Sequence, residues 1–200
     1  MYVGRIVAVG KTDKPFVAYR VSSRSFPNRV ARITGIGAAI QPLDPEDMKK
    51  NPYIAYNCIR VSEKGTVVSN GSHTDPIFEK IEAGMAPDMA LQTVLTEMGF
   101  EKDEYNTPRI AGVVTDTVGY IGTVRADGVE VSSFDLENNS CHVICTYEMD
   151  RVESKCYPFV AENASDAAKY AVDGGIFKEL EKPICAAAWM DELTVYNPHE

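Results

Sequence analysis

DPIFEKIEAGMAPDMALQTVLTEMG, residues 75–99, is where the chain changes its period. Asp75-Pro76 reads as a helix opening, a capping side chain followed by the residue that tolerates an early helical position. Ile77, Ile81 and Met85 then recur at i, i+4 and i+8, one face of a helix. Pro87-Asp88 opens a second helix, in which Leu91, Val94, Leu95 and Met98 share a face and Gly99 closes the run. Two helices in succession, with strand-like sequence on either side, exclude an alternating βαβ order.

Ahead of this stretch the chain reads as strand after strand. Residues 2–9 and 16–22 flank the turn Lys11-Thr12-Asp13-Lys14, and residues 30–40 are apolar with Gly35 and Gly37 among them. Residues 53–61 and 66–70 flank Glu63-Lys64-Gly65 as a hairpin. Beyond the helices, residues 109–115, 119–125, 129–134 and 141–147 return to strand, with Ala126-Asp127-Gly128 as a turn. Ala164, Ala167, Ala168, Ala171 and Val172 then trace a helix whose small residues allow close packing on a sheet. Gly174-Gly175 breaks it, residues 176–180 extend helix up to Pro183, and the nearly all-apolar residues 184–190 form a final, central strand. The fold class is α+β. Two antiparallel sheets, each covered on its outer face by helices, would bury every apolar face, so a four-layer sandwich spanning residues 1–200 as a single domain is expected.

Composition limits what such a domain can do. The 200 residues carry 20 Lys and Arg against 29 Asp and Glu, a formal charge of −9, with 44% hydrophobic residues. That surface repels nucleic-acid backbones and anionic membranes, so no nucleic-acid or membrane partner is expected. The apolar runs are far too short to span a bilayer, and residues 1–10 read as a strand rather than a leader, which suggests a cytoplasmic protein. Five scattered cysteines make a poor disulfide framework. In Cys141-His142-Val143-Ile144-Cys145 a period of two sends both sulfurs to one strand face and His142 to the other, which favours buried cysteines over a metal site. Neither metal nor cofactor is expected.

An acidic protein that binds an anion needs a local cluster of donors. The densest is RVSSRSFPNR, residues 20–29. It reads either as a phosphate cradle, with Arg24 and Arg29 as forked donors and Ser22, Ser23 and Ser25 as hydroxyls, or as a solvated loop. Tyr56 and Asn57 interrupt an apolar strand and must be core hydrogen bonders or ligands. Asn70-Gly71-Ser72-His73-Thr74-Asp75 runs from a strand end into a helix start, whose free N–H groups suit an oxyanion or amide. Residues 101–109 hold Glu101, Asp103 and Glu104 with Asn106 and Arg109, either a solvated loop or, beside an arginine pocket, the source of a general acid or base.

YRVSSRSFPNR (19–29), NPYIAYNCIR (51–60), SNGSHTD (69–75) and EKDEYNTPRI (101–110), with the opening MYVGR, together resemble the archaeal-type inosine monophosphate (IMP) cyclohydrolase family. The likeness runs the length of the chain and is strongest in its first half. It implies the αββα fold of the N-terminal nucleophile hydrolases, although Met1-Tyr2 offers no such nucleophile. The implied reaction is ring closure of 5-formamidoimidazole-4-carboxamide ribonucleotide to IMP and water, the last step of de novo purine synthesis, without a covalent intermediate or cofactor. In that family's terms Arg24, with Ser22 and Ser23, holds the 5′-phosphate, and Arg29 orients the reacting carbonyls. Tyr56 and Asn70 bind the carboxamide and formyl groups, and Glu101 or Glu104 is the acid–base group, with no sequence reason to choose between them. Asn57, His73, Asn106 and Arg109 form a second tier of substrate-binding residues. The resemblance also implies a homo-oligomer. Two other classes compete: an amidohydrolase that cleaves itself before Ser72 or Thr117, and a non-catalytic purine-nucleotide-binding protein.

Overall fold

A computed structural model describes residues 1–199. The chain runs β1 (Ile6–Lys11), β2 (Pro15–Ser22), β3 (Arg29–Thr34), β4 (Gly37–Pro42), α1 (Asp47–Lys50), β5 (Tyr56–Arg60) and β6 (Thr66–Ser69). Next come α2 (Thr74–Glu82), α3 (Pro87–Met98), β7 (Arg109–Val114), β8 (Val118–Arg125), β9 (Gly128–Asp135) and β10 (Ser140–Cys145). β11 (Cys156–Pro158), α4 (Ala164–Asp173), β12 (Pro183–Met190) and β13 (Glu192–Tyr196) complete it. The result is α+β, with two antiparallel sheets.

The first sheet has the order β11-β10-β1-β2-β12-β13 and the second the order β3-β4-β5-β6-β7-β8-β9. Alternation along each strand divides its residues between two cores. In the first sheet Val7, Val9, Val17 and Tyr19 face the second sheet, while Ile6, Ala8, Phe16 and Ala18 face α4. In the second sheet Val68, Ile110 and Val114 face the first, while Val67, Ala111 and Val113 lie under Ile77, Ile81, Leu91, Val94 and Leu95 of α2 and α3. Both faces of the central strands are therefore buried, which explains their near-continuous apolar sequence. The alanine face of α4 packs closely on the first sheet, alongside Phe159 stacked on Phe16 at 4.1 Å.

Several boundaries differ from the sequence reading. The 30–40 stretch is a hairpin that turns at Gly35-Ile36. Residues 53–55 are not strand: Asn51 accepts a hydrogen bond from Tyr53 N–H and caps a 3-10 turn over Pro52–Ile54. α2 begins at Thr74, with Asp75 inside its first turn rather than capping it. It ends at Glu82, so Met85 leaves the helical face and is partly exposed. β12 is not the last strand; β13 pairs along its outer side. Cys141 and Cys145 are buried against the α4 side, where burial raises both thiols, Cys145 to about 12, while His142 stacks on Phe134 at 3.7 Å. No helix among the described residues is long and apolar enough to cross a membrane.

Candidate active site

One end of the two sheets carries the loops that the polar motifs occupy. The β2–β3 loop, the 3-10 turn before β5, the α3–β7 loop, the segment after β10 and residues 2–5 together surround a cavity of about 730 Å³. Its wall includes Arg5, Ser23, Arg24, Ser25, Arg29, Glu101, Asp103 and Glu104, with Tyr2, Tyr53, Tyr105 and Tyr147 as aromatic surface.

The β2–β3 loop is ordered from within. Ser23 Oγ accepts a hydrogen bond from Phe26 N–H at 3.0 Å, and Arg29 Nε donates to Phe26 O at 3.1 Å. Arg29 is thus a buried guanidinium with a fixed stem. Arg24 is different: it is 58% exposed, lies over the Tyr2 ring at 4.2 Å and pairs with Glu181 at 3.1 Å. Ser22 does not reach the cavity. Its hydroxyl accepts a hydrogen bond from Nε of Arg20, a fully buried residue that also donates to the carbonyls of Val172, Phe177 and Leu180.

Glu101 and Glu104, equivalent in the sequence reading, are not equivalent in space. The α3–β7 loop closes on Asp103, whose carboxylate accepts from the Tyr105 and Thr107 N–H groups and from the Thr107 hydroxyl. Glu101 N–H donates to Thr107 O at 2.9 Å, which turns the Glu101 side chain inward. Only 1% of it is exposed; Arg5 Nη2 donates to its Oε2 at 3.1 Å, and Arg109 stands 3.8 Å from its Oε1, a charge contact too long for a hydrogen bond. Burial pushes the Glu101 carboxyl up, and the two arginines pull it back without cancelling the effect. Glu104 remains exposed at the cavity rim.

The other sequence candidates lie behind or beside the wall. Tyr56 is buried, and its hydroxyl shares a hydrogen bond with that of Tyr19 at 2.6 Å. Asn70 is fully buried with both ends of its amide bonded to backbone, Oδ1 accepting from Ile110 N–H and Nδ2 donating to Pro108 O. It clamps β7 rather than facing the cavity. His73, also fully buried, has Nε2 3.0 Å from Ile110 O; burial, reinforced by nearby Arg109, lowers it to about 3, so it is neutral and donates from Nε2. Asn57 turns toward α2, where its amide and the Arg60 guanidinium both donate to Asp75, so the start of that helix already holds a carboxylate. Asn106 takes φ 50° at the tip of the α3–β7 loop. Arg109 is buried behind Glu101, its guanidinium 5.8 Å from the Tyr53 ring.

Gly71 lets this cluster close. A Cβ there would lie 3.0 Å from Arg109 Nη1 and 3.2 Å from His73 Nδ1, so those two side chains would have to give, and it would touch Glu101 Oε1 at 3.4 Å.

Arg5 was missed by the sequence reading, as were Tyr2, Tyr53 and Tyr147. The available signal was a charged residue directly ahead of a buried apolar strand, which has to meet a partner.

A half-open cleft with guanidinium groups in its wall and a buried, arginine-flanked carboxylate beside them is an enzyme pocket. The family model for IMP cyclohydrolase-like proteins matches residues 2–194, and the chain belongs to that family. It is 46% identical to an IMP cyclohydrolase of Methanocella arvoryzae, with 98% of each chain covered. It is 44% identical to one of Methanothrix thermoacetophila, over 99% of this chain and all of the relative, and 43% identical to one of Methanocaldococcus jannaschii, over 96% and 95%.

Proposed function

We propose that the chain is an IMP cyclohydrolase that closes the ring of 5-formamidoimidazole-4-carboxamide ribonucleotide, giving IMP and water as the last step of de novo purine synthesis. Family membership supports the activity, and the burial of Glu101 in a cavity wall shared with Arg29 is the observation that carries the mechanism.

The carboxamide nitrogen attacks the formyl carbon of the same molecule. A C–N bond forms while the formyl C=O opens to an oxyanion, which gains the proton lost by the attacking nitrogen; the C–O bond then breaks as C=N forms to the formamide nitrogen, whose own proton completes the departing water. Arg24, Ser23 and Ser25 hold the 5′-phosphate at the rim. Arg29, rigid and buried, faces the reacting carbonyls. Holding the two groups in contact is worth up to ~7–11 kcal/mol, and one oxyanion donor roughly 3–4 kcal/mol. Glu101 is the acid–base group, because a carboxyl raised by burial is a stronger base than a solvated carboxylate and can return the proton it takes. Tyr56 backs the same region as a phenol that stays protonated, while Asn70, His73 and Arg109 position the groups in front of them.

The packing of α4 and of α2 with α3 on the outer faces of two sheets supports the four-layer αββα reading of the N-terminal nucleophile hydrolase type, acting as one domain without a processed nucleophile. We also read the protein as cytoplasmic and as a homo-oligomer, since Ile33, Ile36 and Leu43 expose apolar surface at or near the edge strand β3.

Purified protein with the formylated ribonucleotide in the presence of a chelator should produce IMP, and Arg29→Ala should lower kcat at least ~100-fold. Full turnover in that variant removes Arg29 from the mechanism. Intact mass gives the second check: one species at 22.0 kDa excludes self-processing before Ser72 or Thr117.

A further inference from the structure

Arg5 is held more firmly than a charge beside a pocket requires. Its N–H donates to Thr146 Oγ1 at 3.0 Å, and its carbonyl accepts from Thr146 N–H at 3.0 Å, so the backbone is tied to the end of β10 on both sides. The preceding Gly4 adopts φ 71°, and a Cβ there would sit 2.1 Å from Thr146 Oγ1 and 2.9 Å from the Tyr147 ring. Only glycine permits this approach. From that anchor the guanidinium enters the cavity wall, 17% exposed, with Nη2 on Glu101 Oε2.

Glu101 stands among three charged groups, with the neutral His73 close by. Arg5 comes from the segment ahead of β1, Arg109 from β7, Asp103 from the same loop, and the neutral His73 from the start of α2; Tyr147 stands beside Arg5. Of the two arginines only Arg5 makes a hydrogen bond to the carboxylate; Arg109 is held at 3.8 Å. This single directional contact fixes the carboxylate, leaving Oε1, the buried oxygen on the Arg109 and Gly71 side, without a hydrogen-bond partner.

We infer that Arg5 is a positioning residue for the cyclisation, fixing the orientation and the protonation of Glu101 through the hydrogen bond to Oε2. The inference rests on Glu101 being the acid–base group. Burial works against the charged guanidinium, but the Glu101 carboxylate favours it, and Arg5 keeps its charge. A permanent charge at this distance favours the carboxylate form and sets the pH at which the proton can be exchanged.

The test is a double-mutant cycle with pH profiles: Arg5→Gln, Arg5→Lys, Glu101→Gln and Arg5→Gln/Glu101→Gln, each assayed for cyclisation and checked for folding by thermal melting. Arg5→Gln should lower kcat/KM by about 10- to 100-fold and move the Glu101 limb of the profile upward by about one pH unit or more. Arg5→Lys, which retains the charge, should recover most of the profile. In the Glu101→Gln background Arg5→Gln should cost less than about threefold, because the group through which it acts is gone. An unmoved limb in Arg5→Gln, or a full cost in the Glu101→Gln background, overturns the inference while leaving Glu101 in place. Wild-type turnover in Glu101→Gln overturns both. Should Arg5→Gln fail to fold, Arg5→Lys decides: a guanidinium-specific loss with an unmoved limb defeats the inference, and a retained rate with a small limb shift supports it.

Discussion

The hydroxyls of Tyr19 and Tyr56 lie 2.6 Å apart and join the two sheets across an otherwise apolar layer. Their rings meet edge to face, 6.2 Å between centroids at 81°. Burial pushes Tyr56 up to about 12 and Tyr19 well above its ordinary value, so both remain phenols, one donating and one accepting. Tyr56→Phe should cost about 1–3 kcal/mol, because it leaves the Tyr19 oxygen buried without its partner. Tyr19→Phe/Tyr56→Phe should be more stable than Tyr56→Phe. Urea unfolding of the three variants checks the order.

Arg20 is a buried cation held by carbonyl oxygens. Nη1 donates to Phe177 O at 2.6 Å and Nη2 to Leu180 O at 2.6 Å, closing off the chain that follows α4. Arg20→Met keeps the stem but strips these acceptors of their donor, so a loss of about 3 kcal/mol or more is expected in denaturant midpoint. Because Arg20 also holds Ser22, at the root of the β2–β3 loop, KM should rise in the same variant.

Gly71→Ala tests how tightly the cluster behind Glu101 is built. The added methyl must displace Arg109 and His73, both packed around Glu101, by a few tenths of an ångström. Turnover should fall about tenfold or more, with a stability loss of only about 1–2 kcal/mol, since the shift lies behind the reacting groups rather than among core aliphatics. Kinetics and thermal melts on one preparation separate the two effects.

His73 should make the protein labile to acid. It is neutral in the folded chain down to about pH 3, whereas the unfolded chain takes up the proton near 6.5. Between those values the unfolded state binds more protons, so stability falls as pH falls, by up to about 4–5 kcal/mol. Glu101 acts in the opposite sense: its raised carboxyl favours the fold below the unfolded carboxylate value, and that contribution is lost as pH rises through the folded one. His73→Asn should therefore flatten the decline between pH 6.5 and 4, measured as denaturant midpoint against wild type.

Periodicity was enough to find the α+β order, both central helices and the alanine-faced α4, because each buries one continuous face. It failed for β11, α1 and β13, which are short or half exposed and carry little apolar alternation. Composition picked out the right loops for the cavity, and Ser23, Arg24, Arg29, Glu101 and Glu104 do line it. It could not separate side chains that reach inward from those spent on backbone, as at Ser22 and Asn70, since that depends on partners far away in the chain. Arg5 shows the same limit from the other side: its partner is 96 residues distant.

Strand order also dictates a schedule for the nascent chain. β1 and β2 are neighbours in the chain and pair with each other, yet their outer edges wait for β10 and β12, which are translated late. A ribosome-bound intermediate thus displays two unsatisfied strand edges for most of synthesis, the condition under which chains seek one another or a chaperone. Refolding should be slow for a chain of this size, and catalytic competence should emerge only when the C-terminal strands have locked in.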